Sequence, residues 1–376
     1  MFTSILKIAM LSMALNIVFV PVNHTLAVLA GYTTIIATLL LPFTGIKTPL
    51  SLRVKFSGVC LIGIGVIMLC SAFCYNGYRN INIDFVKTVL SFFCCYMAIL
   101  LDNQIIRKKD LQQIFLINEG LSCVLIAYTY LPVSFKYITV NEWGGQQFTL
   151  GMGNPNATSI NVLFCVVLLL LEAIESCKVY KKTFCIVLIA ALMGTLMRLQ
   201  SRTVVVCCGF ILLAGFFRMI RIRKYMITAV MIFPIVMFFV QLWMGTVDTD
   251  VQFLGKSIVT GRDEMYAEHL QTILSNPSDY FWGQILTHRL GNYHNAPLAL
   301  IMSIGVFGYF LYVIMWNHEF NAMVSMRYTK LQYIAIIALF AYMIHSSSEA
   351  SPMLGGIPYA TQMIILSRIA KDPMSV

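Results

Sequence analysis

Long apolar stretches are the feature that most constrains this chain. Several run for about 18 residues or more with few charged side chains, which is enough for a helix to cross the roughly 30 Å hydrocarbon core of a bilayer. Over 376 residues the chain is 59% hydrophobic and 11% charged, whereas soluble domains carry about 25% charged residues. The sequence therefore predicts an all-α polytopic membrane protein rather than a soluble domain.

Twelve apolar segments are predicted to form transmembrane helices. They cover residues 4–22, 24–43, 57–75, 84–101, 113–132, 158–175, 183–198, 203–219, 225–242, 295–316, 331–347 and 352–369. No internal repeat and no separate soluble domain interrupts the series. Residues 1–376 are therefore predicted to form a single integral membrane domain.

Two predicted outer loops are long for an otherwise economical protein, which favours a functional role for both. The first covers residues 133–157, and the second covers residues 243–294 and carries most of the extracytoplasmic charge. Within the second loop, RDEMYAEHLQTIL mixes apolar and charged positions and is followed by Pro277. That pattern predicts a short helix lying on the membrane surface.

The basic residues indicate the orientation of the chain. With the N-terminus in the cytoplasm, 17 of the 26 lysines and arginines fall in cytoplasmic loops or the C-terminal tail, and seven fall on the other face. This alternation follows the positive-inside rule, by which cytoplasmic loops are enriched in Lys and Arg. We therefore predict cytoplasmic N- and C-termini, and we attribute the net charge of +10 to topology rather than to nucleic acid binding.

The N-terminal region and the cysteines agree with this interpretation. The segment TLAVLAG is similar to a signal-peptide cleavage site, but the apolar region before it is long and is broken by Pro21 and Asn23, which favours two uncleaved helices. All 11 cysteines fall in predicted spans or on the cytoplasmic side, so no structural disulfide is expected. Their spacing is not of the metal-binding type, and no metal site is predicted.

Few side chains on the predicted outer face can carry chemistry. Arg202 lies at the start of one span, Arg262 opens the predicted surface helix, and His294 with Asn295 opens the span in NYHNAPLALIMSIGVFGYF. Taken singly, each has a simpler explanation. An interfacial arginine contacts lipid phosphate, and an interfacial histidine serves as a polar anchor.

Taken together, these side chains match the needs of group transfer from a diphosphate. Guanidinium groups bind phosphate oxygens in bidentate fashion and keep their charge, so Arg202 and Arg262 suit a diphosphate, with Arg79 and Arg289 as weaker supporting cations. A histidine at a helix start has its charged form disfavoured by the helix dipole. His294 therefore suits a general base, and no metal is required where arginines carry the charge of the leaving group.

The order of these motifs resembles the O-antigen polymerase and O-antigen ligase superfamily. An arginine at the head of a short helix, Arg262, is followed by a proline, a glycine turn, and then His294-Asn295 opening a helix. Spaced glycines, Gly305 and Gly308, come next. Tyr266 stands where the superfamily usually has tryptophan, and the acidic residue often found before the paired glycines is absent.

Upstream segments extend this resemblance. SRTVVV resembles the superfamily's Ser-Arg segment and contributes Arg202, while GNPNATS resembles its Asn-Pro-Asn segment and contributes Asn154 and Asn156. The resemblance covers residues from roughly 150 to the C-terminus, and the first 150 or so residues match only in containing spans.

The resemblance implies an enzyme of the bacterial cytoplasmic (inner) membrane that acts on its outer, periplasmic face. The implied activity is that of a metal-independent inverting glycosyltransferase in lipopolysaccharide or capsule-type polysaccharide biosynthesis. His294 would activate the acceptor hydroxyl, and Arg202 and Arg262 would hold the undecaprenyl diphosphate of the donor. No cofactor is implied. The implied partners are an undecaprenyl-diphosphate-linked oligosaccharide and membrane lipid, and a chain-length regulator is a further candidate.

Other residues would support the site. Asn295 would orient the histidine or a sugar hydroxyl, and the resemblance assigns a substrate loop to a set of polar and aromatic residues: Asn154, Asn156, Tyr266 and Tyr293. Aromatic side chains in the two long outer loops could stack on sugar rings or serve as interfacial anchors. These are Trp143, Tyr280, Trp282 and Tyr293.

Within the superfamily, the sequence favours a polymerase, whose acceptor is a second lipid-linked repeat unit. The outer loop is compact, and the helix-opening segment reads SRT rather than the Thr-Arg form common in ligases. The alternative is an O-antigen ligase, which would transfer the glycan to the lipid A-core.

Two other classes stay open. A secondary transporter would need charged or broken helices near the middle of the membrane, and Glu119 with Lys7 as its partner is the candidate pair. A membrane acyltransferase would use a histidine such as His345, but that residue is predicted at the outer end of its helix, away from a cytosolic donor.

Overall fold

The computed structural model describes most of the chain. The described ranges are residues 1–45, 56–76, 83–100, 106–131, 138–140, 146–150, 155–217, 222–223, 226–246, 252–253, 256–257, 262–275, 277–283, 295–325, 328–346 and 359–371.

Helices dominate these residues. They are α1 (Phe2–Phe19), α2 (His24–Leu40), α3 (Phe56–Asn76), α4 (Ile83–Leu100), α5 (Lys108–Tyr130), α6 (Pro155–Glu175), α7 (Val179–Leu199), α8 (Arg202–Phe217), α9 (Met226–Thr246), α10 (Arg262–Ser275), α11 (Pro277–Trp282), α12 (Ala296–Ser325), α13 (Lys330–His345) and α14 (Tyr359–Lys371). Two short antiparallel pairs lie in the two long loops. One joins β1 (Ile138–Val140) to β2 (Gln146–Phe148), and the other joins β3 (Gln252–Phe253) to β4 (Lys256–Ser257).

Each of the twelve predicted segments overlaps one helix, and α10 coincides with the predicted surface helix. In the described part of the chain, six helices are long and apolar enough to cross a membrane: α1, α5, α6, α7, α9 and α12. Shorter apolar helices are present in α2, α3, α8 and α13. By length and composition, this is a helical membrane protein.

Three helices form the centre of the bundle. In α13 every residue from Leu331 to Met343 is buried, in α14 every residue from Tyr359 to Ala370 is buried, and in α6 the same holds from Thr158 to Glu172. A helix that is apolar on all sides is stable when it is enclosed by others or by lipid. The helices around this centre expose large apolar side chains such as Val187 and Phe216, as lipid-facing helices do.

Polar contacts divide the helix ends into two sets. At one end, the basic end, Lys7 of α1 binds Asp110 of α5 at 2.7 Å, and Lys108 of α5 binds Glu175 of α6 at 3.0 Å. At the opposite end, the backbone nitrogen of Ala296 in α12 donates to the carbonyl oxygen of Ser346 after α13, 2.8 Å away. In the pairs α5–α6 and α12–α13, the start of one helix therefore lies beside the end of the other.

At the basic end, α12 continues to Ser325 rather than ending near residue 316 as predicted. The added segment contains Glu319, which is 3% exposed and accepts hydrogen bonds from Ser57 of α3 and Lys371 of α14. Arg368 of α14 is also buried and donates to the carbonyl oxygen of Ala98 in the last turn of α4. A cation at a helix C-terminus satisfies carbonyl groups that have no partner within that helix.

A break divides α12 into two parts. Gly305 has φ 70° and ψ 172°, which is not a helical conformation, and it is a conformation that residues with a Cβ rarely adopt. The backbone of Phe281 and Trp282 in α11 lies directly against Gly305, so a Cβ at this position would overlap the Phe281 carbonyl group. Gly283, at φ 85°, makes the reciprocal close approach to Ser303 and Gly305. Gly305 thus permits close packing of α11 against α12 at a kink.

We expect Gly305→Ala to destabilise the protein by roughly 2 kcal/mol or more, because the added Cβ meets both a positive φ and a backbone neighbour. Gly209→Ala in α8 is the matched control, since an added Cβ there has nothing within 4 Å. That control should be neutral or stabilise by up to about 1 kcal/mol. Thermal unfolding of the purified protein in detergent measures both, and equal effects would contradict the prediction.

Candidate functional site

The structure describes only some of the predicted site residues. His294, Arg79, Arg289, Asn154 and Tyr293 lie outside the described residues. So does Trp143. Arg262 is described as the first residue of α10, without its side chain. Arg202, Asn156, Asn295 and Tyr266 are described fully, and they show how the segments that carry the site are arranged.

The starts of α6 and α8 are joined by hydrogen bonds. The Ser201 hydroxyl accepts from Ser159 at 2.8 Å and donates to Oδ1 of Asn156 at 3.3 Å, and Ser201 is buried. These contacts bring GNPNATS and SRTVVV, which are more than 40 residues apart in sequence, to one place. Arg202 follows at the first position of α8 and is half-buried.

The end of α13 connects this junction to the start of α12. The Cys207 thiol of α8 lies 3.4 Å from the carbonyl oxygen of Ala341 in α13. Arg202 is five residues before Cys207, and Ser346 is five residues after Ala341, so antiparallel packing places Arg202 and Ser346 at a similar depth. Ser346 in turn accepts the hydrogen bond from Ala296 at the start of α12, two residues after His294.

The surface helix α10 reaches the same region. Tyr266 has no exposed surface, its ring centroid lies 4.8 Å from that of Phe238 in α9, and both pack with Leu298 in the first turn of α12. The resemblance assigned Tyr266 to the substrate loop; in the structure its side chain is buried against α9 and α12, and its role toward a substrate stays a prediction. Because Arg262 is one helical turn before Tyr266, the start of α10 lies beside the start of α12. We call the starts of α6, α8, α10 and α12 the helix-start cluster.

Asn295 fixes the start of α12 to α9. Its Oδ1 accepts from the backbone nitrogen of Leu298 at 3.2 Å, which is an N-cap interaction, and its amide nitrogen donates to the Pro234 carbonyl oxygen at 2.8 Å. The sequence suggested that Asn295 orients the histidine or a sugar hydroxyl. In the structure both polar atoms of this buried side chain bind the protein itself.

Pro234 lies in the middle of α9, where a proline removes one helical hydrogen bond and exposes nearby carbonyl groups. Tyr309 of α12 donates to the Met231 carbonyl oxygen at 2.8 Å, one turn from the carbonyl that Asn295 binds. In a straight helix, Asn295 and Tyr309 would be about 21 Å apart along the axis, whereas the two carbonyl groups are separated by about 5 Å along α9. The break at Gly305 is consistent with both contacts forming.

The helix-start cluster favours anions on electrostatic grounds. Each helix start carries a partial positive charge, and N–H groups that have no partner within the protein add to its attraction for phosphate and other anions. The starts of α6 and α8 are joined through Ser201, and Arg202 adds a permanent cation. At the start of α12 the N–H groups of Ala296 and Leu298 bind Ser346 and Asn295, so this helix contributes its dipole rather than free N–H groups. This arrangement suits a phosphorylated ligand.

A second buried polar cluster lies nearer the basic end. Glu119, Glu172 and Cys185 are buried, and their donor atoms lie within 4.8 Å of one another, which would suit a metal ion. However, the Lys181 ammonium group lies 2.5 Å from Glu119 and 3.2 Å from Glu172. Lys181 thus supplies the cation of this cluster, and we assign no metal to it.

These ion pairs correct one expectation. A transporter interpretation paired Glu119 with Lys7, but Lys7 binds Asp110 and Gln113 near the start of α5, at 2.7 Å and 2.6 Å. Glu119 binds Lys181 instead. Asp110 and Glu119 both lie in α5, and each pairs with the lysine that lies beside it.

Other candidates from the sequence occupy simpler positions. Trp282 is 53% exposed and packs against Phe307, with ring centroids 5.7 Å apart, whereas Tyr280 is buried. His345 is buried at the end of α13, in the last turn before the helix-start cluster.

Comparisons with protein-family models, with curated proteins and with solved structures give no match for this chain.

We expect the stability order to be wild type, then Asn295→Ser, then Asn295→Ala. Serine keeps the N-cap acceptor but cannot reach Pro234, while alanine loses both hydrogen bonds. Each lost bond should lower the free energy of unfolding by roughly 1 kcal/mol. Tyr309→Phe is the matched control, because it removes only the hydrogen bond from Tyr309 to the Met231 carbonyl oxygen. In chemical or thermal unfolding it should lower the stability by about as much as Asn295→Ser does. An alanine variant as stable as the wild type would refute the assignment.

Proposed function

We propose that the protein is a membrane glycan polymerase, a metal-independent inverting glycosyltransferase that uses a lipid-diphosphate-linked oligosaccharide as donor. It would transfer the glycan from undecaprenyl diphosphate to a hydroxyl group of a second lipid-linked repeat unit, in O-antigen or capsule-type polysaccharide synthesis. The proposal joins the motif resemblance to the arrangement of the helix-start cluster.

The observation that carries the proposal is the arrangement around the end of α13. The start of α12, next to His294, is bonded to Ser346, and the start of α8, with Arg202, packs at the same depth of α13. The start of α10, with Arg262, lies beside the first turn of α12 through Tyr266 and Leu298. Three segments that are distant in sequence thus meet at one end of the bundle, which supports the proposal that His294, Arg202 and Arg262 act together.

The chemistry follows from these groups. The acceptor hydroxyl transfers its proton to the imidazole of His294 as its oxygen attacks the anomeric carbon of the donor. The bond between that carbon and the diphosphate oxygen breaks, and the electron pair leaves with the lipid diphosphate. Arg202, Arg262 and the positive helix starts stabilise the charge on the leaving group. A single displacement inverts the anomeric configuration.

The distribution of charge supports an orientation in which this end faces outward. The basic end of the bundle holds Lys108, Lys181 and Lys371, and the predicted cytoplasmic loops carry most of the other basic residues. The positive-inside rule places that end in the cytoplasm. We propose twelve spans with both termini cytoplasmic, in which the six long helices are complemented by α2, α3, α4, α8, α13 and α14, and a catalytic outer loop over residues 243–294.

The substrate partners follow from the reaction: the lipid-linked oligosaccharide itself, the surrounding lipid, and a chain-length regulator as a candidate protein partner. An O-antigen ligase is the alternative, since it shares the donor, the base and the cations and differs in its acceptor. The products distinguish the two, because loss of a polymerase leaves single repeat units and loss of a ligase leaves long unattached chains.

We expect His294→Ala to abolish glycan transfer, because no other base is predicted at the reacting hydroxyl. His318→Ala is the matched control. That histidine is 43% exposed on α12 at the basic end, and its loss should leave turnover unchanged. The measurement is mass spectrometry of products formed by purified protein from a defined lipid-linked oligosaccharide. Full turnover by a folded His294→Ala variant would remove the base from the mechanism.

We further expect residue 294 to be accessible from outside the cell. In His294→Cys, a membrane-impermeant maleimide should label the new cysteine in intact spheroplasts. The native Cys177, exposed in the turn between α6 and α7 at the basic end, should react only after permeabilisation. Labelling of Cys177 alone in intact spheroplasts would reverse the proposed topology.

A further inference from the structure

Arg198, the last basic residue of α7, makes contacts that the proposed mechanism does not use. Its guanidinium group lies 4.5 Å from the centroid of the Phe148 ring, close enough for a cation–π interaction, and it donates a hydrogen bond to the Thr129 carbonyl oxygen near the end of α5. A cation at that position also complements the negative end of α5. One side chain therefore joins α5, α7 and the strand β2.

Phe148 lies in the chain segment that precedes α6, whose start belongs to the helix-start cluster. It pairs with Ile138 at the end of the β1–β2 ribbon and is 7% exposed, and Thr149 and Leu150 after it have no exposed surface. The Thr149 carbonyl oxygen accepts a hydrogen bond from Thr158 of α6, 3.1 Å away. The chain around Phe148 is thus built into the bundle beside the start of α6.

Backbone strain is found on both sides of this contact. Among the described residues other than glycine, positive φ occurs at Leu150 (53°) and at Gln200 (52°). Residues with a side chain rarely adopt this conformation, and when they do, the surrounding structure holds them there. Leu150 comes two residues after Phe148, and Gln200 comes two residues after Arg198. Each strained residue leads into one of the segments that meet at Ser201.

These observations form one arrangement. The contact between Arg198 and Phe148 joins the end of α7 to β2, just before the residues with positive φ, Gln200 and Leu150. Further along both segments, Ser201 donates a hydrogen bond to Asn156 at 3.3 Å. The separation of Asn156 from Arg202 is therefore held at two places, by the Arg198–Phe148 contact and by Ser201.

We propose that Arg198 is a positioning residue that holds the start of α6 against the start of α8 and so sets the spacing of the anion-binding groups. Arg198 itself would not contact the substrate. The effect of Arg198 on donor binding rests on the proposed function, whereas its effect on the position of α6 does not. Loss of Arg198 should weaken donor binding more than it slows the chemical step, because the base next to α12 is fixed independently by Asn295 and Ser346.

The test uses Arg198→Met, Phe148→Leu, the double variant and Arg198→Lys in the full-length protein. Lys182→Met is the matched control, since Lys182 is an exposed basic residue at the other end of the same helix. Hydrogen–deuterium exchange reports the fold independently of activity, and KM and kcat with a lipid-linked oligosaccharide report the reaction. The Phe148→Leu variant removes the same contact from its other partner, so the test stands even if Arg198→Met fails to fold.

We expect Arg198→Met to speed amide exchange across residues 146–160 and to raise the KM for the donor, each by roughly tenfold, the factor that corresponds to about one charge-assisted hydrogen bond. The kcat value should change by no more than about twofold. Phe148→Leu should act in the same direction, the double variant should be no worse than Arg198→Met alone, and Arg198→Lys should recover part of the loss because it retains the cation. Lys182→Met should match the wild type.

Unchanged exchange in Arg198→Met would overturn the proposal, and so would faster exchange with an unchanged KM, which would leave Arg198 a purely structural role. If the effects of Arg198→Met and Phe148→Leu added up in the double variant, the Arg198–Phe148 contact would not be what holds the start of α6 against the start of α8. Absence of transfer by the wild-type protein would overturn the proposed function together with the kinetic part of this inference. The exchange measurement would still decide the part that concerns the fold.

Discussion

Within a bilayer no water is available to backbone carbonyl groups, N–H groups or buried charges, so each must find a partner inside the protein. This constraint accounts for the contacts on which the bundle depends. Arg368 of α14 binds carbonyl groups at the end of α4, and Lys371 and Ser57 both bind the buried Glu319. Removing one partner from such a set would leave a buried charge uncompensated, which is costly.

The same constraint explains how two irregular helices are tolerated. Pro234 interrupts α9 and Gly305 interrupts α12, and in each case groups from another element lie at the break. Asn295 and Tyr309 donate to carbonyl groups beside Pro234, and the backbone of α11 lies against Gly305. The irregularities have a consequence for the proposed site, since they determine where the start of α12 is held.

The end of α13 has a central place in the proposed mechanism although it contributes no predicted catalytic group. It binds the start of α12 through Ser346 and packs along α8 through Ala341. Helix starts that converge in this way present partial positive charges to one volume, and arginine side chains add full charges that do not titrate. In the proposed mechanism, this electrostatic arrangement stabilises a diphosphate leaving group. In the same proposal Arg198 and Asn295 act on the site indirectly, by holding the helices that carry it.

The sequence by itself determined the class of protein and the positions of its helices, because apolar stretches about as long as a bilayer is thick, together with the alternation of basic loops, are local signals. It also indicated Arg202, Asn156 and Asn295 as members of one group. Only the tertiary structure decided that α12 extends past Glu319 to Ser325. It also decided that Lys181 rather than Lys7 pairs with Glu119, and that Tyr266 is buried. Each of these depends on a partner distant in the chain. A polar or aromatic residue looks the same in sequence whether it faces solvent, substrate or another helix, and only packing decides among the three.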